Sequence, residues 1–161
     1  MLSVAMASTK AATADACLID TNILLRSAQP RHPLCSQATQ AVVKLLRDRH
    51  AAFVSSQNVT EFWNVATRPA QSNGLGLSHE EVINEVSNIE TLLTLLPDVP
   101  AVYVSWKQLV SSYRVRGVKV YDARLVAVMT VYGIESVLTF NAADFRRYTS
   151  IAALHPSSVL A

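Results

Sequence analysis

The sequence predicts an α/β fold, a three-layer α/β/α sandwich around a mostly parallel sheet. Three observations lead there. Short apolar runs of strand length alternate with longer segments whose apolar residues recur at helical spacing. Turn-forming or helix-capping residues follow the apolar runs. Half of the 161 residues are hydrophobic and only 16% are charged, against about 25% charged in an average soluble domain, so the chain can bury a large core. Length alone favours one domain, taken as residues 16–161, with residues 1–15 as a flexible extension.

The first strand is Ala16–Ile19, closed by Asp20-Thr21-Asn22, whose side chains suit a turn or a helix cap. A helix over residues 34–49 follows, with Ala38, Ala41, Val42, Leu45 and Leu46 on one face and Lys44, Arg47 and Arg49 left for solvent. Residues 51–54 form a second strand ending at Ser55 and Ser56, after which Val59, Phe62, Trp63 and Ala66 return to the helical period. Arg68-Pro69 stops that helix, and AQSNGLGL is read as a mobile, glycine-bearing loop. Ser78 and Glu81 make a capping box for a long helix through Val82, Ile83, Val86, Ile89, Leu92 and Leu93.

Leu95-Leu96 is a brief third strand before Pro97 and Pro100, and residues 104–115 are helical. A helix over residues 121–132 carries Leu125, Val126, Val128 and Met129 and ends at Gly133, which suits a left-handed cap. The fourth strand is residues 136–140, and a last strand is expected near Val159. Strands alternating with helices bring the helix N-termini to the edge where parallel strands end, the usual place for a site in such sheets.

Several function classes are excluded or left without support. A net charge of +2 permits an anionic partner without requiring one. Cys17 and Cys35 have no CxxC spacing and suit a reduced chain as packing residues. His32, His50, His79 and His155 are scattered, with no zinc-ligand pair among them. The first fifteen residues lack the basic start of a secretory signal, and no apolar run reaches the ~18 residues a membrane span needs. A cytoplasmic protein is the expectation.

Against so few charges, four acids stand out. Asp20 directly follows the first strand, Glu61 lies about five residues into a helix, Asp122 stands at a helix start, and Asp144 follows the fourth strand. Each has a local explanation: three can cap helices and Glu61 can be a solvated helix residue. Three of them nevertheless fall on one edge of the sheet, with Glu61 one or two turns below it. Four converging carboxylates would repel one another, and a divalent cation removes that cost. Oxygen-only ligation points to Mg²⁺ or Mn²⁺.

The strings LIDTN, NVTEFWNV, VYDARLVAVM and TFNAADF, in this order, resemble the motifs of PIN-domain nucleases, most of all the VapC-like toxins. The resemblance spans roughly residues 16–160. It implies an acidic quartet of Asp20, Glu61, Asp122 and Asp144 holding Mg²⁺ or Mn²⁺, with Thr139 and Asn141 as polar neighbours that orient water or the last carboxylate. It further implies metal-dependent hydrolysis of RNA phosphodiester bonds, an antitoxin partner and a homodimer. The fourth acid departs most from the family pattern, because TFNAADF carries it only after an Asn.

An acidic pocket needs cations around it to receive phosphate, and Arg114, Arg116, Lys119, Arg124, Arg146 and Arg147 flank the acids in sequence. They equally suit solvated positions. Trp63, Trp106 and Tyr113 can stack on unpaired bases or simply pack in the core. A DxDxT phosphatase would need an acid where Asn22 stands, and a receiver domain would need paired early acids and a late Lys that have no counterpart. The remaining alternative is an inactive PIN-like module that binds RNA or protein, its acids serving only as caps.

Overall fold

Strands β1 (Ala16–Ile19), β2 (Ala51–Ser55), β3 (Thr94–Leu96), β4 (Ser136–Leu138) and β5 (Ala152–Leu154) pair in the order β3-β2-β1-β4-β5, and every pairing is parallel. The computed structural model describes residues 16–48 and 50–161, so the expected extension over residues 1–15 lies outside them. Helices α1 (Thr21–Ser27), α2 (Cys35–Arg47), α3 (Ser56–Thr67), α4 (His79–Leu92), α5 (Pro100–Ser112), α6 (Lys119–Tyr132) and α7 (Pro156–Leu160) connect and flank the strands. Among the described residues, no helix is long and apolar enough to cross a membrane.

Two cores lie on opposite faces of the sheet, and the period of two along β1 divides its residues between them. Cys17 and Ile19 join Ile23, Ala41, Phe62 and Val82 on the face of α1 to α4. Ala16 and Leu18 join Val102, Val126, Met129 and Val137 on the face of α5 and α6. All four residues of β1 are buried, as expected of a central strand covered on both sides. The architecture is therefore the expected three-layer α/β/α sandwich.

Local chemistry sets the element boundaries. Pro100 stands at the first position of α5, where its missing N–H costs nothing, so that helix starts four residues earlier than its apolar spacing suggests. Gly133 takes φ 69° and ends α6 in the left-handed cap its position predicts. Asp20 does more than close a turn: it caps α1, a short helix absent from the sequence reading. Helix α2 stops at Arg47, two residues short of expectation, with Asp48 as its C-cap.

Two further expectations need correction. The last strand is Ala152–Leu154, whereas Val159 lies in α7, because Pro156 at the first helical position and the His155 side chain capping Ser157 N–H start a helix there. The loop read as mobile is pinned: Leu75 N–H donates to Val65 O, Gly76 N–H to Arg68 O and Leu77 N–H to Ala66 O, and Leu75 and Leu77 pack on the core. A Cβ at Gly74 would overlap the Arg68 carbonyl oxygen and carbon. Both obstacles are backbone, which cannot rotate away. Gly74→Ala is expected to cost about 1–3 kcal/mol through this overlap, read as a fall of roughly 3–10 °C in the calorimetric Tm.

Candidate active site

Strand register builds the site. Pairing of Ile19 with Leu138 makes Asp20 and Thr139 the next residues off two adjacent strands, and Asp20 N–H extends the ladder by donating to Leu138 O at 3.0 Å. On the other side Leu18 pairs with Phe53, so the end of β2 and its cap Ser55 come up beside Asp20. The boundary between β1 and β4 is where strand order reverses, the crevice at which open α/β sheets bind ligands. Beta structure ends at Leu138, two residues earlier than expected, and Thr139, whose N–H still donates to Leu154 O, turns its hydroxyl on Asp20.

Asp20 is 9% exposed and heavily hydrogen-bonded. Thr21 N–H donates to its Oδ1 at 2.7 Å, while the Thr139 hydroxyl at 2.7 Å and the Asn22 amide at 2.9 Å both donate to Oδ2. Asn22 is itself fixed, because its Oδ1 accepts from Phe140 N–H and its Nδ2 also donates to Thr139 Oγ1. Burial pushes the Asp20 carboxyl up to about 6 from its ordinary 3.8; Thr139 and Thr21 pull it down, and the charges of Glu61 and Asp122 push it up again.

Glu61, on the second turn of α3, is held at both oxygens. The Thr21 hydroxyl donates to Oε2 at 2.9 Å and the Gln57 amide to Oε1 at 2.7 Å. Buried Asn58 donates in turn to Thr21 Oγ1, which commits that hydroxyl's proton to Glu61. Gln57 also donates to Tyr121 O, and Arg124 donates to Gln57 Oε1, so α3 is stitched to the first turn of α6 next to Asp122.

Asp122 and Asp144 form a second pair, bridged by Lys119, whose Nζ lies 3.5 Å from Asp122 Oδ2 and 2.6 Å from Asp144 Oδ1. Burial and then the Asp144 charge raise the Asp122 carboxyl above its ordinary range, partly offset by Lys119. Asp144 sits on a 3-10 turn over Ala142–Phe145 rather than at the start of a true helix.

The four acids thus share one electrostatic neighbourhood as two bridged pairs, Asp20 with Glu61 through Thr21 and Asp122 with Asp144 through Lys119. Among the described residues, no three or more His, Cys, Asp or Glu side chains are gathered closely enough to hold a metal ion. The donor set is nonetheless all hard oxygen, and burial with mutual repulsion holds Asp20 and Asp122 in a state that a cation would relieve. In donor chemistry, though not in their present spacing, the residues fit a hard divalent ion.

Of the two polar residues singled out with the quartet, Thr139 touches Asp20 directly. Asn141 is exposed and reaches the cluster through its backbone N–H, which donates to Thr139 Oγ1 at 2.9 Å. Sequence reasoning passed over Thr21, Asn22, Gln57 and Asn58 as site residues. A signal for Asn58 was available, since Ser55 followed three residues later by Asn58 is a capping-box spacing.

Several proposed phosphate or base contacts are otherwise engaged. Arg124 pairs with Asp98 at 3.1 Å besides holding Gln57. Arg114, Arg116, Arg146 and Arg147 are exposed. Trp106 donates its indole N–H to Val120 O, Trp63 packs edge-on against His79 and Tyr113 against Tyr148, so all three aromatics have structural partners.

No curated protein matches the chain by sequence. Solved structures do match its fold. A VapBC-1 structure from nontypeable Haemophilus influenzae superposes with TM-score 0.65 at 13% identity, covering 88% of this chain and 98% of that one. VapBC2 from Rickettsia felis, bound to a DNA fragment from its promoter, gives 0.64 at 12% identity over 87% and 98%. VapC20 from Mycobacterium tuberculosis, a sarcin-ricin loop cleaving toxin, gives 0.60 at 16% identity over 82% and 95%. At such identities the likeness speaks for the fold. The family model for the PIN domain matches residues 17–150, a stretch that contains all four acids and the hydrogen-bonded side chains around them, and the chain is accordingly a member of the PIN domain family.

Proposed function

We propose that the protein is a metal-dependent ribonuclease that hydrolyses RNA phosphodiester bonds and serves as the toxin of a toxin-antitoxin pair. The observation that carries this reading is the cluster of Asp20, Glu61, Asp122 and Asp144 at the strand-order reversal, with Asp20 buried and pushed up to about 6. An inert set of helix caps would not need three donors converging on one buried carboxylate.

In this reading the four carboxylates would hold Mg²⁺ or Mn²⁺, which when bound would supply Lewis acidity and charge neutralisation for hydrolysis of a phosphodiester. The chain's own contribution is positional. Thr139 and Asn22 fix the Asp20 carboxylate, and Thr21 and Gln57 fix Glu61, so little reorganisation is left to the reaction. Thr139 acts on Asp20 and Asn141 on Thr139, which makes both positioning residues. Exposed Arg114, Arg116, Arg146 and Arg147 are available to the RNA backbone.

The partner reading draws on the VapBC complexes of similar fold and on an apolar groove of about 450 Å³ between α1, α2 and α4, lined by Leu24, Val42, Val43, Leu46 and Leu92. Such a groove suits the apolar face of an antitoxin helix. Exposed Tyr103, Val104, Val118 and Tyr121 on α5 and around the start of α6 offer apolar surface for a homodimer.

Cleavage of a structured RNA by the purified protein is expected to require Mn²⁺ or Mg²⁺, to stop with EDTA and to return when the ion is restored. Gel analysis of end-labelled RNA reads this. Equal cleavage in EDTA, or none in either ion, rejects the reading.

A further inference from the structure

Lys119 stands where helix physics does not favour a cation. It is the first residue of α6, and the N-terminal turn of a helix carries partial positive charge. No side chain caps that end. What holds the ammonium there is its contact with Asp144 at 2.6 Å and with Asp122 at 3.5 Å, which come from the next 3-10 turn and from its own helix. The side chain remains 43% exposed, so it has an open path out.

We propose that Lys119 is a built-in counter-cation of the metal centre: its ammonium occupies the Asp122 and Asp144 oxygens and competes there with the divalent ion, so it sets the metal concentration at which the site loads. This rests on the reading of the acids as a metal centre. Two facing carboxylates repel, and one ammonium between them removes most of that repulsion at the cost of lying in the way of an ion that needs the same lone pairs. A half-exposed pair of contacts is weak, since screened ion pairs contribute little each. The competition is therefore a matter of a modest factor, and a doubly charged ion wins once it is plentiful.

The test is a Mn²⁺ titration of the full chain, followed by the electron paramagnetic resonance signal of free Mn²⁺ and by the rise in Tm. Lys119→Gln and Lys119→Met are compared with the parent, with Lys119→Arg and with Asp20→Asn. The neutral variants are expected to bind Mn²⁺ roughly three- to tenfold tighter, the loss of two screened contacts, while Lys119→Arg stays near the parent. Binding by the neutral variants alone supports the proposal in its strongest form. Affinity equal to the parent's or weaker overturns it while leaving the metal centre standing, provided the parent binds and Asp20→Asn weakens that binding. Failure of every form to bind overturns both.

Discussion

Asp20→Asn is expected to lower metal-dependent RNA cleavage by about 10³-fold or more while leaving the protein about as heat-stable as its parent at pH 7. The activity loss follows from removing a charged oxygen donor, because metal stabilisation of a phosphoryl transition state is worth several kcal/mol and each 1.36 kcal/mol is about tenfold. The stability result follows from linkage. The folded-state value of about 6 lies above the ordinary 3.8, so the protonated form favours folding. That contribution is complete below about 3.8 and is lost as pH rises through about 6. At pH 7 the buried, charged carboxylate costs up to about 3 kcal/mol. Asparagine carries no such charge.

Its carbonyl can still accept from Thr21 N–H, but its amide faces two donors, the Asn22 amide and a Thr139 hydroxyl whose oxygen already accepts from Asn22 and Asn141, so both of those contacts are lost. Those losses offset most of the charge term, so stability at pH 7 is expected to lie within about 1 kcal/mol of the parent's and to fall below it near pH 4, where the parent's carboxyl is protonated. Calorimetry between pH 4 and 8, paired with the cleavage assay, reads both halves. A variant that cuts at the parental rate, or one that is markedly less stable than the parent at pH 7, would sink the assignment of Asp20.

Asn58→Ala is expected to be the most damaging change at a residue that bears no charge. The Asn58 side chain is fully buried and serves two structures at once. Its Oδ1 accepts from Ser55 N–H at 3.0 Å and from the Ser55 hydroxyl at 2.7 Å, closing the capping box of α3. Its Nδ2 donates to Thr21 Oγ1 at 3.2 Å, ahead of Glu61. Alanine removes the reciprocal half of the cap and leaves buried Ser55 N–H without its acceptor, for about 2–4 kcal/mol in all. In a domain of this size the Tm is expected to fall by roughly 5–15 °C. Residual cleavage at 20 °C is expected to drop about 10- to 100-fold, as when a supporting partner of a metal ligand is lost. A variant melting within a degree or two of the parent would show that the relay carries no weight.

How far the sequence carried depended on the range of the interaction concerned. Strand β1, the capping box of α4 and the glycine end of α6 rest on contacts between near neighbours, and each was legible from a few adjacent letters. The four acids were legible because a charge is conspicuous in a chain that has few. The side chains that orient them were not. Thr21 and Asn22 read as turn residues, and nothing local says that their partners lie at Glu61, Thr139 and Phe140. The glycine-bearing loop after α3 was misread for the same reason. Gly74 is conspicuous as a source of freedom, yet it is there because the Arg68 backbone leaves no room for a side chain. A last strand is expected near Val159, yet Pro156 and the His155 cap set a helix there.

The register that puts Ile19 opposite Leu138 has a consequence for synthesis. The hydroxyl that completes the Asp20 environment lies 119 positions further along the chain. A nascent polypeptide can form its first strand and helices early, but it gains the groups around its first acid only after nearly the whole domain has left the ribosome. The acidic cluster is therefore completed late and all at once, and truncated products lack it.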